Sequence, residues 1–188
     1  MIYLVRHGES FANINKRFSG ITDVELSDLG RKQALQAGQN LREYNISRIF
    51  TSPLIRACET AKIIGEQINI NIEVINNLIE VNFGIFENMT WEEIVENHKE
   101  ETELWVNQGF KYKFPEGESY DDIINRISSF IDNLEDNSVI VTHFGVIQAI
   151  LLYLKAANYE NVWDYRISNC DIIVLENNKI KDIIKCEI

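Results

Sequence analysis

Six short runs of β-branched and apolar residues alternate along this chain with stretches whose apolar residues recur every three to four positions. The runs are Ile2–Arg6, Arg48–Ser52, Asn71–Ile75, Ser138–Thr142, Ile172–Glu176 and Ile180–Glu187. Their length and composition predict strands. Leu29–Tyr44 has helical spacing, with Ser27 or Asp28 as its N-cap. Ser52-Pro53 reads as the N-cap and first-turn proline of a helix reaching about Gln67. Thr90-Trp91-Glu92-Glu93 has the form of a capping box. In Ser119–Leu134, Ile123, Ile127, Phe130 and Ile131 share one helical face. Gly145–Leu154 is strongly apolar and predicts a buried helix.

Strands alternating with helices predict an α/β fold of three layers, a mostly parallel sheet flanked by helices. Asn177-Asn178 between the last two runs predicts a C-terminal hairpin, so one edge of the sheet is expected to be antiparallel. There are no repeats and no linker, and residues 1–188 are expected to form a single domain. Residues 84–118 are the least regular part, acidic and aromatic, and are expected to form a small helical cap.

Composition narrows the function. The chain has 188 residues, enough for a sizeable core, with the 45% hydrophobic and 25% charged content of ordinary globular proteins. No apolar run approaches a membrane span, and no basic segment followed by a long apolar stretch marks a signal peptide. Cytoplasmic residence is the expectation. Cys58, Cys170 and Cys186 are odd in number and form no CxxC pair, so reduced thiols are expected rather than a disulfide framework or a zinc site. The formal net charge of −11 repels nucleic acid and anionic membranes, and neither is expected as a partner. A phosphorylated small molecule would have to enter a local positive pocket in an acidic body. A homodimer is left open.

Candidate chemistry gathers at the predicted strand ends. The first strand runs into Arg6-His7-Gly8-Glu9-Ser10, which places a guanidinium and an imidazole at its C-terminal edge, where open α/β sheets bind ligands. A guanidinium fork matches phosphate oxygens, and an imidazole beside it can attack phosphorus. Val139-Ile140-Val141-Thr142-His143-Phe144-Gly145 repeats the arrangement of strand, histidine and glycine. Arg56 falls on the opening turn of a helix that follows a strand, beside a helix N-terminus that favours anions. Glu80 lies between an apolar stretch and Gly84, and Ser10, Asn13, Ser19 and Gly20 supply small polar groups beyond the first strand. Alone, each of these residues has an ordinary structural explanation; Glu80 by itself would be solvated, and His98, among charges, is expected at the surface. Together, two histidines, two arginines and a carboxylate at strand ends point to a phosphate. No metal-ligand spacing, Walker loop or dinucleotide fingerprint occurs, so no metal or nucleotide cofactor is expected.

These residues resemble the histidine phosphatase superfamily, in its phosphoglycerate-mutase-like branch. The resemblance is carried by Arg6-His7-Gly8-Glu9, by Arg56 after Thr51-Ser52-Pro53, by Glu80 before Gly84 and by His143 after an apolar strand. It extends to Ser19-Gly20 with Asp23, Leu26 and Gly30. It implies that His7 becomes phosphohistidine, that Arg6, Arg56 and His143 hold the phosphoryl group, and that Glu80 protonates the leaving oxygen. It also implies that Asn13 contacts phosphate and that Ser19 and Gly20 lie near the substrate, with Ser10 among the same polar groups.

The expected reaction is metal-independent hydrolysis of a small phosphate monoester. The alternatives are phosphoglycerate-mutase-type transfer and broad-specificity action on sugar phosphates or nucleotides. Val81–Glu118 carries nine Glu against Lys99, Lys111 and Lys113, and it is shorter and less basic than the corresponding part of phosphoglycerate mutases. It offers Trp91, Trp105, Phe110, Tyr112 and Phe114, which can stack on a flat ring or simply fill a cap core. Phe114-Pro115-Glu116-Gly117-Glu118-Ser119 and Val162-Trp163-Asp164-Tyr165-Arg166 resemble α-ribazole phosphatases of cobalamin nucleotide-loop assembly. The resemblance makes α-ribazole 5'-phosphate the substrate to test first.

Overall fold

The computed structural model describes residues 1–188. Its centre is a six-stranded sheet of β1 (Ile2–Arg6), β2 (Arg48–Thr51), β3 (Ile72–Val74), β4 (Ser138–Thr142), β5 (Ile172–Glu176) and β6 (Lys179–Ile184). The spatial order is β3-β2-β4-β1-β5-β6. The first three pairings are parallel and the last two antiparallel. The α/β expectation therefore holds, including the hairpin. Asn177 and Asn178 both have positive φ, as the tight turn between β5 and β6 requires.

Side-chain alternation along the strands divides the core in two. Tyr3, Val5, Val139, Val141, Ile172 and Val174 face α2 (Asp28–Leu41) and α3 (Ile55–Ile68), which contribute Ala34, Ala37, Leu41, Ala57, Ala61 and Ile64. Leu4, Ile140, Ile173 and Leu175 face the other way, against α6 (Tyr120–Asp132) and α7 (Phe144–Tyr153). Small alanines on α2 and α3 bring that pair close to the sheet.

Between β3 and α6 the chain forms the expected cap: a 3-10 turn at Gly84–Phe86, α4 (Trp91–Asn97), α5 (Lys99–Gln108) and a second turn at Gly109–Lys111. Thr90 and Glu93 make the expected capping box. Phe86, Ile94, Phe110, Tyr112 and Phe114 belong to the same buried cluster as α6 and α7, so the cap is an outgrowth of that core. Gly84, at φ +55, lies against Pro115, whose carbonyl oxygen would stand 1.8 Å from an added Cβ. The cap's two ends are thereby drawn together.

Several local expectations are corrected. The helix after β2 begins at Ile55, and its N-cap is Leu54, not Ser52 with Pro53 in the first turn. Leu54 supplies no side-chain cap. Instead Asp23 Oδ1 accepts the Ile55 amide at 2.8 Å, so the cap comes from a distant loop. The helix expected to reach Tyr44 ends at Leu41. A short helix, α1 (Phe11–Ile14), was not expected; Ser10 and Asn13 form its capping box. His98 is half-buried against Phe86, with ring centroids 5.4 Å apart, and is not a free surface residue. Residues 185–187 leave the sheet, where Lys185 and Cys186 bind Asp171. All three cysteines are free, and no helix is long and apolar enough to cross a membrane.

If the cap shares the main core, Phe86→Ala should lower the unfolding free energy by about 3–5 kcal/mol. Urea denaturation followed by circular dichroism checks this. A loss under about 1 kcal/mol would mean that the cap contributes little to cooperative stability.

Candidate active site

β1 and β4 run side by side with Arg6 opposite Thr142, and the His7 amide donates to the Thr142 carbonyl at 2.9 Å. The next residues are His7 and His143, whose rings lie 5.1 Å apart. Both are buried, at 5% and 0% exposure. His7 Nδ1 is 2.7 Å from the Gly8 carbonyl oxygen. A carbonyl only accepts, so Nδ1 carries the proton and Nε2 keeps its lone pair. Gly8 itself cannot carry a side chain, because a Cβ would stand 2.4 Å from the Gly30 carbonyl oxygen at the start of α2. Its amide donates to Thr60 Oγ1 at 3.0 Å.

Both guanidinium groups reach the same place. Arg6 Nη1 donates to the Ile167 carbonyl at 2.9 Å, while its buried Nε has no partner. Arg56 is 1% exposed. It donates to the carbonyls of Thr22, Ser19 and Gly20 at 2.8–2.9 Å. Those bonds use three of its five hydrogens and tie down the 19–22 loop. His143 Nε2 is 2.7 Å from Ser52 Oγ, and its buried Nδ1 has no partner. Two cationic groups and two imidazoles thus carry unclaimed polar capacity at one sheet edge.

Glu80 is buried, contrary to the solvated position expected of it in isolation. Its carboxyl accepts the Val81 and Gly145 amides at 2.9 and 3.2 Å. Gly145 must stay small, since a Cβ there would lie 2.7 Å from Glu80 Oε1. Burial raises the Glu80 pKa above its ordinary value, against the two amides and the charge of Arg56, which pull it down. Burial also lowers the pKa of His7 well below its ordinary value, helped by Arg56 and Arg6. His143 is lowered well below for the same first reason, then by Arg56 and His7. One desolvated environment therefore favours neutral imidazoles and a protonated acid.

A cavity of about 590 Å³ opens over these groups. Arg6, His7, Arg56, Glu80, Ser10, Asn13 and Ser19 line it. Gly20 and His143 do not. Gly20 is packed under Val81 and donates its amide to Glu87, so its role is in the loop rather than on the wall. His143 lies behind the lining, beside His7. Glu9 turns away and accepts from Ser27 Oγ at 2.7 Å, fastening the motif to α2. The outer wall is aromatic: Phe18, Phe83, Trp91 and Trp105 on the cap side, Tyr120, Phe144 and Trp163 on the other. Arg17 is the one cation on that outer wall, and it is held by Glu93 at 2.9 and 3.3 Å. Sequence reasoning did not single out Ser52, Thr60, Tyr120 or Asn169 as parts of the site. No group of three or more His, Cys, Asp or Glu side chains is arranged to hold a metal ion.

A neutral imidazole between two guanidinium groups, backed by a buried carboxyl, defines a protein that handles phosphoryl groups. The family model for the histidine phosphatase superfamily (branch 1) matches residues 2–185, and the chain belongs to that superfamily. It is a phosphatase of that class. Phosphoserine phosphatase 1 of Hydrogenobacter thermophilus is 29% identical over 188 residues, covering 97% of this chain and 89% of that protein. The 6-phosphofructo-2-kinase/fructose-2,6-bisphosphatase of Gallus gallus is 36% identical over 165 residues, 86% of this chain but only 34% of that protein. The α-ribazole phosphatase from Shigella flexneri superposes with a TM-score of 0.85 at 24% identity, covering 100% of this chain and 97% of that one, which is a likeness of fold.

The two lowered histidines have a consequence for stability. Below about pH 6.5 the unfolded chain binds two protons that the folded chain refuses, so stability should fall with pH from there. The slope from this pair alone should approach about 2.7 kcal/mol per pH unit. NMR of the ring protons checks the cause: neither His7 nor His143 should titrate in the ordinary histidine range.

Proposed function

We propose that this protein hydrolyses a small phosphate monoester whose leaving group is a flat, uncharged ring system, through a phosphohistidine on His7 and without a metal. In the first step the Nε2 lone pair forms the N–P bond as the P–O ester bond breaks. The electron pair of that bond goes to the leaving oxygen, which takes the proton of the Glu80 carboxyl. In the second step water attacks phosphorus, gives its proton to the Glu80 carboxylate, and the N–P bond opens to release inorganic phosphate and free His7. Arg6, Arg56 and His143 meet the charge on the phosphoryl oxygens, and Asn13, Ser10 and Ser19 are the polar groups beside them.

The observation that carries the choice of substrate is the outer wall. Above the two arginines it is almost wholly aromatic, and its single cation, Arg17, is already paired with Glu93. A substrate carboxylate, as in phosphoserine or phosphoglycerate, would have no free cation there. An apolar ring would replace water against Trp91, Phe144 and Trp163. α-Ribazole 5'-phosphate suits this wall, and the fold likeness to an α-ribazole phosphatase agrees with it. The phosphoserine phosphatase relative favours a second reading, in which the leaving group is a small amino acid.

A steady-state panel of α-ribazole 5'-phosphate, phosphoserine, sugar phosphates, nucleotides and 3-phosphoglycerate separates these. The expected result is a preference for the ring-bearing ester of at least about tenfold in kcat/KM over phosphoserine. Equal or better use of phosphoserine would overturn the substrate assignment, and isomerised phosphoglycerate without free phosphate would overturn hydrolysis. Activity is expected to survive chelators, and His7→Ala is expected to abolish an acid-labile, base-stable phosphoryl label. Glu80→Gln should lower kcat on an alkyl phosphate by about 10²–10⁴-fold. With p-nitrophenyl phosphate, whose leaving oxygen needs little protonation, phosphoenzyme formation should fall far less. An equal loss on both esters would remove Glu80 as the acid.

A further inference from the structure

We infer that Asn169 is a positioning residue for phosphoryl binding: it fixes the Asn13 side chain with its NH2 group toward the cavity. The inference rests on the reading of the cavity floor as a phosphoryl site.

Asn169 Nδ2 has two hydrogens, and both are engaged. One goes to the His7 carbonyl at 2.8 Å and the other to Asn13 Oδ1 at 3.3 Å. Asn13 Oδ1 also accepts the Ser10 amide at 3.0 Å and the Ser10 hydroxyl at 3.1 Å. Three donors on one carbonyl oxygen settle which way that amide points. The reversed rotamer would set the Asn13 NH2 against the Ser10 amide and the Asn169 NH2, donor against donor. Asn13 lines the cavity, and its Nδ2 makes no hydrogen bond within the protein. The group left facing the cavity is therefore a pure donor, the kind that an anionic oxygen takes.

The turn that carries Asn169 is itself held in place. Ser168 N donates to Asp171 Oδ2 at 2.8 Å, and the Cys170 amide donates to the Arg6 carbonyl at 2.9 Å. Cys170 has φ +60, a conformation that side chains rarely adopt, and it directly follows Asn169. Asp171 is 1% exposed and also accepts from Cys186 N and Lys185 Nζ, each at 2.9 Å. The tail after β6 thus braces the turn, the turn presents Asn169, and Asn169 orients Asn13. Ser168, Asn169, Cys170, Asp171, Lys185 and Cys186 all lie off the cavity lining, to which Asn13 belongs.

The test is the affinity of the full chain for inorganic phosphate, measured by calorimetry for the unaltered protein, Asn169→Ala, Asn13→Ala and the double variant. Each single change is expected to weaken phosphate binding about tenfold, the scale of one charge-assisted hydrogen bond. The double variant is expected to bind within about twofold of Asn13→Ala alone, because Asn169 acts through Asn13. Unchanged affinity in Asn169→Ala, or losses that multiply in the double variant, would overturn the inference while leaving the phosphoryl site intact. Failure of the unaltered protein to bind phosphate would overturn the proposed function and this inference with it. Should Asn169→Ala not fold, side-chain amide NMR on the unaltered chain decides. On phosphate addition the Asn13 Nδ2 protons should shift and those of Asn169 should stay; a silent Asn13 pair would refute the proposal.

Discussion

The lateral pairing of β1 with β4 is the constraint on which the site depends. These strands are separated by more than half the chain, yet they lie parallel and in register, with Arg6 opposite Thr142. Neighbouring strands are spaced by about 4.8 Å, so residues just past their ends emerge side by side. That is why the rings of His7 and His143 stand 5.1 Å apart. A slip of one residue would turn one strand's side chains to the opposite face and break the pair. Register here is strongly specified, because Leu4 and Ile140 belong to one buried cluster while Val5 and Val141 belong to the other.

Burial then sets the chemistry. The same withdrawal from water that keeps both imidazoles neutral holds a proton on Glu80 more tightly. These are opposite changes in charge with one cause, and they set a lone pair on His7 and a carboxyl that holds its proton on the lining of one cavity. The arginines are also desolvated, and both are lowered from their ordinary values by burial, though a guanidinium stays charged. Their positive field sits inside a body of formal charge −11. The pocket is positive by local arrangement, against the balance of the whole.

Much of this was legible in the sequence, and the failures have physical reasons. Every strand is an apolar run in the sequence because a buried strand must be one; four of the six begin at the expected residue and the other two one residue away from it. The helix after β2 was started too early because Ser52-Pro53 is a good local signal, whereas the cap is Asp23, 32 residues upstream. Residues proposed to act on the phosphoryl group announce themselves by type: arginine, histidine and glutamate at or near strand ends. Residues that act on other residues did not. Ser52 beside His143, Thr60 under Gly8 and Asn169 behind Asn13 are small polar side chains of ordinary kinds. Their significance lies in contacts across 52 to 156 positions of chain, which no local pattern encodes. That Gly20 sits beside the lining residue Ser19 and not on the wall has a related reason: its tight fit under Val81 is a tertiary fact.

The aromatic wall comes from separate pieces of polypeptide: Phe18 from the loop after α1, Trp91 and Trp105 from α4 and α5, Phe144 from the start of α7, and Trp163 from a turn near the end. None of these five belongs to the set proposed to hold the phosphoryl group. Descendants of this chain can therefore trade one ring at a time and drift toward a new ester while the bond-breaking apparatus is inherited unchanged.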